Sequence, residues 1–348
     1  MRPVTIIVLN YNGKQYLEDC LSSLSQTDYA EYSVILVDDG SSDGSVPYVR
    51  KRFPWVKVLE NEKNRGAPFS FNRGLCEART ALVAKLDNDT VVDKEWLSNL
   101  VAAIESDPQA AVSTAVIRSY QDPQKTQVVS PWVHFVGQGL VQTESISSEE
   151  FEEVGMASGC AMLIDKEKLG EVSFFDEEFF LYLDDVDFSL RVRLAGHKII
   201  YVRSAVVYHK SGGHLSIRQT AGEYKALRAY LTSRNRKMLV LKNYSQSGLL
   251  LLIPGLILIE AAWVLFLARR GLLKPYFDAW KDLGQKRRKI MAKRREIQRQ
   301  RRLRDSEVLV SAPLTPAPGV LAPGLEMKAK RLIDLLLDLG FQMVRGFI

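Results

Sequence analysis

"VTIIVLNYNGKQYLEDCLSSLSQTDYAEYSVILVDD", residues 4–39, sets out a complete strand–helix–strand unit. Its ends, "VTIIVL" (4–9) and "SVILVD" (33–38), are β-branched runs, and between them Tyr16, Leu17, Leu21 and Leu24 recur at helical spacing. Parallel neighbours need such a crossover, because only a returning segment lets the second strand run in the same direction. The alternation continues with a helix near 44–53, a strand "VKVLE" (56–60), a helix over 68–80 and a strand "ALVAKLD" (81–87). Apolar strands alternating with helices predict an α/β fold: a mostly parallel sheet flanked by helices on both faces.

Composition agrees with a folded chain. Of 348 residues, 46% are hydrophobic and 25% charged, enough apolar surface for one large core or two modest ones. Cys20, Cys76 and Cys160 lie far apart and only four histidines are present, so neither a disulfide framework nor a structural zinc site is expected, and a reducing setting follows. Residues 286–304 hold eleven Lys/Arg against one Glu, so this segment carries +10 against a whole-chain net of +6 and the rest of the chain stands at −4. The apolar run at the amino terminus, about six residues, is too short for a secretory signal and predicts a catalytic part in the cytosol.

Four polar clusters fall at predicted strand ends: "NYNG" (10–13), "DDGSSDGS" (38–45), "NEKNRG" (61–66) and "DNDT" (87–90). Each alone has the composition of a turn or helix cap. Together they point to one crevice, since open α/β sheets bind ligands at the carboxyl ends of their strands. Asp87 and Asp89 stand two apart, so on a strand both face the same side. Such a pair suits a hard divalent cation that neutralises a diphosphate leaving group. With Val91 it also fits the Asp-x-Asp-x-Val pattern of an aspartyl phosphatase. Further on, "YLDDVDFSLRVRLAG" (182–196) places Asp184, Asp185 and Asp187 at the start of an amphipathic helix, where a carboxylate can serve as a general base and Asp187 can pair with Arg191.

These motifs, with "ASGCAMLIDKEKL", "VVYHKSGG" and "SRNR" following in order, resemble the inverting family 2 glycosyltransferases of the GT-A nucleotide-diphospho-sugar transferase fold over residues 3–240. Within that family the chain is most similar to enzymes that add rhamnose or galactofuranose to bacterial polysaccharides and lipid-linked glycans. The resemblance implies that Tyr11, Asp38 and Asp39 hold the nucleotide's base and ribose, followed by Asn64 and Arg65. It implies that Asp87 and Asp89 bind Mn2+ or Mg2+ and through it the diphosphate of a dTDP- or UDP-linked sugar, with His209 joining the metal shell. It selects Asp185, beside Asp184, as the catalytic base. By resemblance, Arg234 and Arg236 would reach phosphate; His214, which follows the glycine segment "KSGG" of the kind that closes over a nucleotide, would with Lys210 or Arg218 touch the diphosphate. Ala67, Pro68, Phe69 and Ser70 stand where close relatives carry a Gly-rich stretch, which leaves the donor sugar open.

The remaining third has another character. Residues 249–268 form an apolar run interrupted by Pro254 and Glu260, long enough to cross a bilayer. Both flanks are basic, which favours an in-plane helix at the cytoplasmic face over a crossing. The basic run suits anionic headgroups better than nucleic acid. A Pro-rich linker (311–324) leads to 325–348, where Leu332, Leu335, Leu336, Leu339 and Met343 share one helical face, for a membrane surface or for self-association into a homo-oligomer. The expected plan is therefore a GT-A domain (1–240), an apolar in-plane or transmembrane helix with a basic helix (241–310), the linker (311–324) and an amphipathic helix (325–348). The expected activity is that of a membrane-associated, metal-dependent inverting hexosyltransferase of cell-envelope polysaccharide synthesis, acting on a glycan or lipid-linked acceptor. An aspartyl phosphatase built on Asp87 and Asp89, or a non-catalytic membrane-associated scaffold, stands as the alternative.

Overall fold

The computed structural model describes residues 1–142, 149–211, 225–314 and 324–348. His214 and Arg218, and most of the Pro-rich linker, lie outside the described residues. Chain contacts divide the protein into two compact units: residues 1–131, 141–192 and 197–213 in the first, and 132–140, 193–196 and 214–348 in the second.

In the first unit the expected alternation appears as β1 (Val4–Asn10), α1 (Lys14–Leu24), β2 (Tyr32–Asp38), α2 (Ser45–Arg52), β3 (Lys57–Glu60), α3 (Ala67–Glu77) and β4 (Leu82–Asp87). All seven residues of β1 are buried, as a strand covered on both faces requires. Parallel pairing runs β4-β1-β2-β3, and its register sets Asn10 opposite Asp38, Asp38 opposite Glu60 and Leu9 opposite Asp87. The polar clusters therefore finish level with one another at a single edge.

The chain continues through β5 (Thr90–Val92), α4 (Trp96–Ser106), β6 (Ala110–Ser119), β7 (Thr126–His134), β8 (Gln138–Gln142), β9 (Phe151–Val154), β10 (Ala161–Asp165), α5 (Lys166–Leu169), α6 (Asp184–Leu194) and β11 (Lys198–His209). The sheet is mostly parallel as expected, with a mixed part that the sequence did not show, because β10 runs antiparallel between β4 and β6. A buried strand has the same apolar composition in either direction, so direction is invisible to periodicity. β11 pairs parallel with β6 and antiparallel with β5, which sets His209 opposite Thr90.

The second unit contains α7 (Ala226–Asn243), α8 (Gln246–Leu251), α9 (Ile253–Arg269), α10 (Leu273–Gln300), α11 (Asp305–Val308), β12 (Leu309–Val310) and α12 (Leu325–Val344). Part of the basic run closes the end of α7: Arg294 donates to the carbonyls of Leu241 and Tyr244, Gln298 to that of Asn243, and Arg301 also to Asn243. These are the carbonyls a helix terminus leaves without partners. α7 packs along α10, and both fall in the second unit. The apolar run 249–268 is not one helix: it breaks at Leu252, with Pro254 in the first turn of α9, where its missing N–H costs nothing. Among the described residues no helix is long and apolar enough to cross a membrane.

Candidate active site

The first unit's strand ends are built from hydrogen bonds between the predicted clusters. Asp38 is buried, and its carboxylate accepts from Asn10 Nδ2 (2.6 Å) and the Ser41 N–H (2.8 Å). Asp39, also buried, accepts from Asn61 Nδ2 (2.7 Å), the Arg65 N–H (2.9 Å) and the Gly66 N–H (2.8 Å). Both carboxylates thus organise the loops after β1, β2 and β3. Asn64 Oδ1 accepts from the Gly66 N–H, and the Arg65 guanidinium lies 3.6 Å over the Phe69 ring. Tyr11, next in the chain after Asn10, is half exposed. Gly66 has φ +90°, and a Cβ there would stand 2.3 Å from the Phe180 carbonyl oxygen, so this turn requires glycine.

Asp87 and Asp89 sit close together in the chain but face different partners. β4 ends at Asp87 and a turn follows, so the two-residue alternation that would aim both carboxylates to one side stops before Asp89. Asp89 is buried, with Oδ1 3.3 Å from His209 Nε2. Gln127 holds the far side of that imidazole: its Nε2 donates to the His209 carbonyl, so its Oε1 faces His209 Nδ1 at 3.2 Å. Ser211 Oγ lies 3.2 Å from the same Nδ1, so both polar partners hold that side of the ring and Nε2 faces Asp89; in the tautomer protonated on Nδ1, Nε2 would have a lone pair for a metal there. Carboxylate oxygen and imidazole nitrogen together suit a divalent ion such as Mn2+, and a partner on Nδ1 is the usual way a ligating histidine is oriented. Asp87 Oδ1 instead lies 3.0 Å from the ammonium of Lys85. Among the described residues no group of three or more His, Cys, Asp or Glu is assembled for a metal.

Lys85 joins the site without having been among the expected residues. It is buried within β4, contacts Asp87 and donates to the Gly159 carbonyl. Burial works against its charge, but Asp87 and then Asp184 more than offset that and hold it above the ordinary lysine value. The sequence does carry a signal for it: a cation in an otherwise apolar strand, two residues from Asp87 and so on the same face.

Asp184 and Asp185 open α6. Burial, and then the charge of Asp185, pushes Asp184 up to about 7. Burial also raises Asp185, against the pull of Lys85 and of hydrogen bonds from the Val186 and Gly159 N–H groups. Asp184 is buried while Asp185 is partly exposed. A Cβ at Gly159 would fall 2.7 Å from Asp185 Oδ2, so a larger residue there would displace that carboxylate. Phe180, Tyr182 and Leu183 all carry positive φ (63°, 68° and 62°) immediately before the pair. Left-handed non-glycine residues are costly and gather where surrounding structure imposes them, often at functional sites. Asp187 belongs to the scaffold, paired with Arg191 at 3.0 Å in the core.

Residues 5–173 match the model of "Glycosyl transferase family 2". The chain carries a family 2 glycosyltransferase domain. This glycosyltransferase is 28% identical over 259 residues to N-acetylglucosaminyl-diphospho-decaprenol L-rhamnosyltransferase of Mycobacterium tuberculosis, covering 66% of this chain and 84% of that one. It is 24% identical to poly-beta-1,6-N-acetyl-D-glucosamine synthase of Staphylococcus aureus over 57% of its own length, and spans 47% of that protein. Its fold is similar to that of a mannosyltransferase of Pyrobaculum calidifontis solved with GDP-Man and Mn2+ (TM-score 0.52, 18% identity, 82% and 76% of the two chains). It is also similar to GalNAc-T7 solved with UDP, GalNAc and Mn2+ (TM-score 0.53, 16% identity, 69% and 51%). The phosphatase and scaffold alternatives fall with the domain match. In the second unit Arg234 pairs with Asp282 and Arg236 with Glu260.

Proposed function

We propose that the glycosyltransferase moves a sugar, with inversion, from a nucleotide-diphosphate donor to a hydroxyl of a glycan or lipid-linked acceptor. The observation that carries this reading is the single edge at which Asp89 with His209, Asp87 with Lys85, and the pair Asp184–Asp185 collect. The names of two relatives support the substrate class: one acts on a diphospho-decaprenol acceptor, the other makes a polysaccharide.

Tyr11 and the loops ordered by Asp38, Asp39, Asn64 and Arg65 hold the nucleotide's base and ribose. Asp89 and His209, with Asp87 close by in the chain, would hold a divalent metal, Mn2+ or Mg2+, which supplies charge neutralisation for the leaving diphosphate. Asp185 takes the proton from the acceptor hydroxyl as that oxygen bonds to the sugar's anomeric carbon, and the bond from this carbon to the diphosphate oxygen breaks. Of the two acids Asp185 is the more exposed, and hydrogen bonds from two N–H groups, with Lys85, work against the burial that raises it and toward the ionised form a base needs. Asp184 stays beside it, buried and oriented.

Asp185→Asn tests the assignment. Donor binding, read by thermal stabilisation with nucleotide sugar and Mn2+, is expected to persist, while transfer falls by roughly a hundredfold or more. Turnover at the parental rate would remove Asp185 from the mechanism.

A further inference from the structure

In the second unit two helices hold some of their charged side chains inward and leave a row of apolar side chains outside. On α9, Glu260, the one acid in the apolar run, pairs with Arg236 and with Lys237 (2.5 Å) and accepts from the Tyr276 hydroxyl (2.7 Å). Trp263 of the same helix donates to Ser233 Oγ. The outer face holds Ile253, Ile257 and Leu265, which are 43%, 63% and 54% exposed. On α12, Leu337 and Phe341 are buried, Phe341 stacks on Phe135, and Asp334 pairs with Lys330 and accepts from the Leu314 N–H. The opposite face presents Leu332, Leu335, Leu336, Leu339 and Met343, each 46–78% exposed. A soluble helix buries such a stripe. Exposed apolar surface on this scale marks a protein or membrane contact.

Charge separates those two occupants. The same unit carries the +10 segment, and although Arg294 and Arg301 close the end of α7, Arg287, Arg288, Lys289, Arg295 and Arg299 are exposed. A second copy would bring an identical basic segment. An anionic lipid surface complements both the leucines and the cations. We propose that this face docks on an anionic bilayer, with α9 and α12 lying in the interface plane. Such docking does not depend on the glycosyl transfer described above.

The test is flotation of the full-length protein with vesicles of phosphatidylcholine alone or mixed with phosphatidylglycerol. Binding is expected on the anionic vesicles, falling as salt rises. Leu335→Glu with Leu339→Glu should weaken it at least about tenfold, with the melting temperature held. Arg287→Gln with Arg288→Gln should weaken binding by about fivefold per residue on anionic vesicles only. Equal flotation of parent and leucine variant, or indifference to lipid charge, would overturn the proposal. So would a dimer, seen by sedimentation, that the leucine variant dissolves while neither protein floats. Transfer to a soluble acceptor is read separately, so loss of flotation and loss of activity remain distinguishable.

Discussion

Asp184→Asn puts the electrostatics of the acid cluster to a direct test. In the folded protein burial and Asp185 move this carboxyl from 3.8 to about 7. The shift is upward, so between these two values the unfolded chain ionises while the folded chain keeps its proton. Stability therefore falls as pH rises through this window, and the penalty is complete above about pH 7. A displacement of this size corresponds to about 4 kcal/mol, an upper value because Asp185 shares the proton. Asparagine has no charge to bury, so the variant should match the parent near pH 4 and exceed it increasingly toward pH 8. The measurement is the urea midpoint of both proteins from pH 4 to 8 in EDTA, so that no metal compensates the cluster. With a slope of a few kcal/mol per molar, the gap at pH 8 should reach about 1 M. A gap that does not change with pH, or an asparagine variant weaker than the parent at pH 8, would refute the reasoning.

Two further outcomes follow from the same site. Lys85→Met removes the cation from between Asp87 and Asp184, which should cost about 3–5 kcal/mol of stability and move the acidic limb of the pH–rate profile to higher pH; an unchanged limb would mean Lys85 does not govern the acids. Gln127→Leu takes this acceptor away from His209 Nδ1 and should weaken Mn2+ binding in the presence of nucleotide by about 10–100-fold, read by calorimetry, whereas parental affinity would show that the imidazole needs no such support.

Much of the first unit is legible in the sequence because its information is local. A strand buried on both faces shows as an apolar run, and a strand end shows as the polar cluster after it. On that basis β1 to β4 and the clusters around Asp38, Arg65 and Asp87 can be placed without coordinates. Lys85 escapes such a reading for a local reason too: a lone lysine in a strand resembles a surface residue until its strand is known to be covered on both sides. Gln127 gives no local signal at all, since it meets His209 only through the pairing of distant strands.

Periodicity and composition are properties of neighbouring residues. They are enough to locate the strands and helices, to line up the polar clusters at the strand ends, and to mark the carboxyl-terminal third as apolar and basic; the nucleotide-sugar roles came from the family resemblance. Four other features became visible only in the folded chain: β10 runs antiparallel, His209 meets Asp89, Gln127 faces the imidazole, and Glu260 turns inward to Arg236 and Lys237 while Ile257 and Leu265 of the same helix stay outside. Each depends on contacts between residues far apart in the chain, where burial and the pairing of charges are settled by what packs opposite.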